Sequence, residues 1–159
     1  MSDFRKMYTL AELSNLTKLS NRSLRRFVKN GILKGVKNGK NWGFTFDEVV
    51  EFFYSPITSN ILKIKFASRV KKFAFEEVSN VDRSLFLFEL RDIEKVLLDA
   101  IFEYIPSYES EYGVEILFFV RDGVPQIFCL GKSKSVAEAM EDFRSKRYLK
   151  PILEKMREE

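Results

Sequence analysis

Along the first fifty or so residues the apolar positions recur at helical spacing in three short runs, separated by one stretch that alternates. Leu10, Leu13 and Leu16 stand three apart and define a single stripe. Thr9 precedes that stripe and Glu12 follows three residues on, so each side chain can take up the other's unpaired backbone N–H at a helix start. "TKLS" breaks the pattern, Ser20 or Asn21 is suited to cap a second helix, and Leu24, Phe27 and Val28 provide its apolar side. Gly31 closes it as the residue able to turn left-handed. "ILKGVKNGKNWGFTF" then reads as two short strands around Asn38-Gly39, a dipeptide suited to a type I′ turn. Trp42, Phe44 and Phe46 add aromatic mass, and Phe44 and Phe46 are expected to pack beneath the hairpin. Thr45 with Glu48 repeats the capping signature, ahead of a third helix with Val49, Phe52 and Phe53 facing inward.

Pro56, in "YSPITSN", marks an expected boundary. Over 58–78, Leu62, Phe66, Val70 and Phe73 share one helical stripe, while "LKIKF" and "KFAFE" alternate like strands; helix is the preferred reading and strands the alternative. "SLFLFEL" predicts a strand. "RDIEKVLLDAIFEYI" predicts a helix with Ile93, Val96, Leu97, Ala100, Ile101 and Tyr104 on its inner face and Phe102 on the far side. "GVEILFFV" and "PQIFCLG" flank Arg121-Asp122-Gly123, whose Asp-Gly suits a tight hairpin. A last helix from about Ser135 turns Val136, Ala139, Met140 and Phe143 inward, with Pro151 kinking or restarting it. The fold class expected is α+β. Residues 1–56 form a helix pair with a hairpin, 57–78 a basic linker of helical character, and 79–159 a small acidic α+β domain.

Composition narrows the chemistry. At 159 residues, 45% hydrophobic and 31% charged, the chain reads as globular, and no apolar run approaches the roughly 20 residues that span a bilayer. The opening residues lack a signal-peptide layout and Cys129 is the single cysteine, so the expected setting is cytoplasmic, without a membrane partner. Cys129, between Phe128 and Leu130, reads as a buried structural thiol rather than a redox sensor. With no histidine, a histidine base, a Ser-His or Cys-His pair and the commoner transition-metal sites lose their usual ligand. No enzymatic activity, metal or cofactor is expected.

Charge is where the sequence speaks most directly. The net +4 conceals a division: residues 1–75 carry 15 Lys+Arg against 5 Asp+Glu, and residues 76–159 carry 12 against 18. Positions 13–46 contain no acid, yet Lys18, Arg22, Arg25, Arg26, Lys29, Lys34, Lys37 and Lys40 all fall there. A solvated helix face normally mixes both signs, so an acid-free basic run points to a polyanionic partner. On a wheel at 100° per residue, Arg22, Arg25, Arg26 and Lys29 lie across the axis from Leu24, Phe27 and Val28. Two short helices joined by about four residues, the second so faced, have the sequence form of a helix-turn-helix.

These residues carry a family resemblance. "YTLAELSNLTKLSNRSLRRFVKNGIL" at 8–33 and "GKNWGFTFDEVVEFF" at 39–53 resemble the winged helix-turn-helix of the MerR and excisionase superfamily. Arg22-Ser23-Leu24-Arg25-Arg26-Phe27 stands where that family has its recognition helix, and Gly31-Ile32-Leu33 closes it. Arg26 replaces an aromatic found in many members, and Gly43 stands where wings often carry an arginine, which brings the wing nearer the excisionase type. The resemblance covers under a third of the chain and implies double-stranded DNA binding, with the second helix in the major groove and the wing on the adjacent backbone. Asn21, Arg22, Arg25, Arg26 and Lys29 are the candidate contacts from the helix, and Lys34, Lys37, Asn38, Lys40 and Asn41 those from the wing.

The second half resembles no family. A dimerisation domain, a sensing domain for a small-molecule or protein effector and a docking platform are all compatible with it, and its acidic charge keeps it off DNA. The leading expectation is a homodimeric transcriptional regulator. The alternatives are an excisionase-like accessory factor that bends DNA for a recombinase, a DNA-tethered protein-interaction module, and a basic domain with no specific target.

Overall fold

The computed structural model describes residues 7–145 together with 154, 157 and 158. The protein is mixed α+β: its described residues form six α-helices, one π-helical turn and two three-stranded antiparallel sheets. It divides into two compact units. The first runs to Glu76 and takes in Phe118–Gly123; the second takes Glu77–Leu117 and the chain from Val124 onward.

The first unit opens with a two-residue strand, β1 (Tyr8–Thr9), which the sequence does not foretell because its partner strand is distant in the chain. Helix α1 (Leu10–Thr17) starts on the reciprocal Thr9–Glu12 cap and buries Leu13 and Leu16. Helix α2 (Asn21–Lys29) starts at Ser20 and buries Leu24. Strands β2 (Val36–Asn38) and β3 (Asn41–Phe44) follow, and the sheet order is β1-β3-β2. Helix α3 (Phe46–Tyr54) carries the second reciprocal cap, Thr45–Glu48, and buries Val49, Phe52 and Phe53. Phe44 and Phe46 are buried as expected.

The stretch that read as either helix or strands is helical: α4 (Pro56–Lys71) runs into a π-helical turn over Lys72–Glu76. It is not a linker. Leu62 and Phe66 are fully buried and Phe73 is buried too, so this segment belongs to the core of the first unit. Pro56 opens α4, since a proline at the first helical position forfeits no hydrogen bond. From Phe118–Gly123 come Phe118, edge-on to Phe53 at 4.9 Å, and Phe119, edge-on to Phe66 at 6.0 Å. The Ser59 hydroxyl donates to the Val120 carbonyl in the same unit.

In the second unit β4 (Arg83–Glu89) pairs with β6 (Val124–Lys132) over seven consecutive residues, Arg83 opposite Lys132 through Glu89 opposite Gln126. Strand β5 (Glu115–Arg121) completes the order β4-β6-β5, its first residues grouped with this unit and its last with the other. Asp122 and Gly123 both take positive φ in the tight turn expected before β6. Helix α5 (Lys95–Tyr112) differs from expectation in both start and face. It begins after Glu94, leaving Ile93 outside, and Val96 is exposed; the buried stripe is Leu98, Ile101, Ile105 and Tyr108. Phe102, placed on the far side by sequence, is 1% exposed. The helix passes through Pro106, which removes one backbone donor on the exposed side. Helix α6 (Ser133–Arg144) buries Val136 and Ala139 and sets Phe143 against Phe88 at 5.2 Å. Pro151 lies outside the described residues.

Two glycines test this local geometry. Gly31 holds φ +77° with open space around it, so Gly31→Ala meets only backbone strain and should cost about 1 kcal/mol. A Cβ on Gly35 would come within 2.5 Å of the buried Phe44 ring, so Gly35→Ala overpacks the core and should cost roughly 2–3 kcal/mol. Urea unfolding midpoints check the order, and equal losses would contradict it.

Candidate nucleic-acid interface

The three residues between α1 and α2 are tightly tied. Lys18 takes a left-handed conformation at φ 59°, the Thr17 hydroxyl donates to the Leu13 carbonyl at 2.7 Å and accepts from the Leu19 N–H at 3.1 Å, and the Ser14 hydroxyl donates to the Leu19 carbonyl at 2.6 Å. Leu19 is buried, so the second helix leaves this turn in a defined direction. At its far end, Ile32 N–H reaches the Phe27 carbonyl at 2.9 Å and Gly31 N–H the Val28 carbonyl at 3.1 Å. That pair of bonds is the Schellman closure, made possible by Gly31 at positive φ.

Between these ends, α2 presents two unlike sides. Leu24 is fully buried, and Phe27 packs edge-on against Phe52 at 5.5 Å. Asn21, Arg22, Arg25, Arg26 and Lys29 are all exposed. Among the described residues, no acidic side chain engages any of these four cations. The first turn contains no acid either, so the positive end of the helix dipole adds to the field of the arginines.

The hairpin differs from its predicted register by one residue. Asn38 pairs with Asn41, so the two turn residues are Gly39 and Lys40, and only Gly39 has positive φ. That excludes type I′, which needs positive φ at both, and meets the type II′ requirement. A turn centred on Asn38-Gly39 would have set Lys37 against Lys40, two like charges across the strands. In the observed register Lys37 faces Trp42, with its Nζ 5.9 Å from the ring centroid. Trp42 in turn stacks on the buried Phe44 at 6.4 Å. Trp42 was thus read only as bulk, whereas it supports the cation on the neighbouring strand.

Lys37, Asn38, Lys40 and Asn41 are exposed on the hairpin. Lys34 is exposed as well, but it precedes β2, and its Nζ lies 3.2 Å from Glu51 Oε1 on α3. Its charge is therefore partly answered within the protein, unlike those of Lys37 and Lys40. A Cβ on Gly43 would approach the exposed Met7 Cε to 3.0 Å, a contact the flexible methionine side chain can relieve. Further exposed cations, Lys63, Lys65, Lys71 and Lys72, lie on α4 and its π-helical end.

Elsewhere the chemistry is quiet. Among the described residues, no group of three or more His, Cys, Asp or Glu could hold a metal ion, and no helix is long and apolar enough to cross a membrane. Two cavities in the second unit, lined chiefly by Ile101, Tyr108, Ile116, Ile127, Cys129 and Phe143, hold about 20 Å³ each. Burial, with a smaller contribution from the Glu109 carboxylate, pushes the Cys129 thiol up to about 11.

Set against known proteins, the chain matches no family model, no curated protein and no solved structure.

The raised thiol pKa gives a testable sign. The folded chain keeps a proton that the unfolded thiol releases from about pH 9, so this contribution to stability is complete below pH 9 and is lost as pH rises through about 11. At pH 8 Cys129 should resist a thiol-exchange reagent in the native protein and react fully in guanidinium. Rapid native reaction would contradict the buried, protonated thiol.

Proposed function

We propose that this protein is a sequence-specific double-stranded DNA-binding regulator of transcription of MerR-like type, with residues 8–54 acting as a winged helix-turn-helix. The single observation that carries the reading is the exposed face of α2: four cations, no acidic partner, on a helix anchored at both ends. Isolated like charges held together on a rigid element repel one another, and a polyanion relieves that repulsion.

In this reading α2 enters the major groove. Its arginines can each hold a guanine edge by two hydrogen bonds, and Asn21 at the helix start reaches a base edge or a phosphate. Lys37 and Lys40 on the hairpin meet the neighbouring backbone, with the Lys37 Nζ over the Trp42 ring. Two copies would present two such helices to half-sites about 34 Å apart, one turn of duplex. The second unit carries the two-copy arrangement. The two cavities described above, at about 20 Å³ each, would have to open to take a small-molecule effector. The excisionase-like reading shares the same face and differs in outcome, with cooperative binding to clustered repeats and bending of the DNA.

Fluorescence anisotropy with the full chain, on DNA from its own upstream region and on random duplex across a salt series, tests the proposal. A preference of about 10³ or more near physiological salt is expected. Arg25→Ala should cost roughly 1–3 kcal/mol and relax preference at one base pair. Lys37→Ala should weaken binding to every sequence and lower the salt slope by about one. Lys34→Ala should do less than Lys37→Ala, because Glu51 already answers that charge. Equal binding to all duplexes, with steep salt dependence, would reduce the activity to its electrostatic part and overturn the regulator.

A further inference from the structure

Strand β4 ends its sheet. Among the described residues it pairs with β6 alone, and between the charges at its two ends, Arg83 and Glu89, it has no proline, no lysine and no bulge in seven consecutive pairs. Its backbone phase can be read from its two ends. Leu90 N–H donates to the Pro125 carbonyl, and Ser133 N–H to the Asp82 carbonyl, so even-numbered residues turn their backbone groups to β6. Arg83, Leu85, Leu87 and Glu89 therefore direct their N–H and C=O groups outward. Phe86 and Leu87, at the middle of the strand, are 42% and 46% exposed.

The sequence of this edge is complementary to itself. Laid antiparallel on a second copy about Phe86, Arg83 falls opposite Glu89 of the other copy, Leu85 opposite Leu87, and Phe86 opposite itself. Every outward-facing backbone group then meets another, because odd residues face odd. A shift of two residues sets a charge against a leucine, and a parallel arrangement sets Arg83 against Arg83 and Glu89 against Glu89. Of these arrangements this register alone satisfies the hydrogen bonds, the leucines and the charges together, and it does so with Arg83 already 3.7 Å from Glu77 and Glu89 2.7 Å from Arg91 in the same chain.

We infer that β4 is the surface through which two copies of this chain associate, joining two three-stranded sheets into one of six strands. This deepens the two-copy part of the proposed function, yet it uses residues of the second unit alone.

Sedimentation equilibrium without DNA tests it, so failure here leaves the DNA-binding reading standing. The wild-type chain should sediment at twice its chain mass. Arg83→Glu and Glu89→Arg should each weaken self-association about tenfold or more, since each sets two like-charged pairs across the joint. An equimolar mixture of the two variants should recover the dimer, because every Arg83–Glu89 position again holds opposite charges. Recovery on mixing separates loss of the contact from loss of the fold. Leu87→Lys, which places a cation on the open edge, should give monomers. A monomeric wild type, variants that dimerise unchanged, or a mixture that stays monomeric would each overturn the inference.

Discussion

The packing of two adjacent phenylalanines on α3 is the constraint on which the first unit depends. Phe52 meets Phe27 from α2, and Phe53 meets Phe118 from a strand sixty-five residues later in the chain. Both rings are fully buried. Deleting a buried phenylalanine side chain typically costs 3–5 kcal/mol, a large share of the stability of a domain this size. One short helix therefore fixes both the direction in which the arginines of α2 point and the attachment of a distant strand.

Against this apolar centre stands a surface kept electrically unbalanced. Two acids that follow it in sequence, Glu48 and Glu51, are committed elsewhere. Glu48 caps its own helix and Glu51 takes Lys34. The arginines of α2 are left to their mutual repulsion, which the Schellman closure and the buried Leu24 hold in check. The hairpin treats its charge differently, supporting Lys37 on an aromatic ring instead of leaving it on a bare helix. Both arrangements keep cations outward and ordered.

What could be read beforehand and what could not separates along the range of the interactions. Both capping boxes span three residues, and both are present as the sequence implied. The two sides of α2 follow from the helical repeat alone, and the exposure of Asn21, Arg22, Arg25, Arg26 and Lys29 agrees with that wheel. The hairpin was legible in position but not in register, because the Asn-Gly preference is local while the pairing of Lys37 with Trp42 involves both strands. The Lys34–Glu51 pair joins residues seventeen apart, and Tyr8 of β1 finds its partner thirty-six residues away; neither leaves a trace in a periodicity. Helix α5 misled for a related reason. Its apolar residues surround most of the axis, so periodicity alone could not choose between the Val96 and Leu98 sides. The proline at 56 shows how the same residue that breaks a helix also begins one.

The first unit closes only when Phe118–Gly123 arrives, more than forty residues after Glu76. A chain emerging from the ribosome at about 5–20 residues per second would thus hold α1 to α4 for several seconds before the ring of Phe118 could seat on Phe53. During that interval the second unit is also being made, and its β4 and α5 are complete in sequence before the first unit is. Synthesis consequently cannot complete the first unit before β4 and α5 have been made, because the strand that seats on Phe53 follows both in the chain.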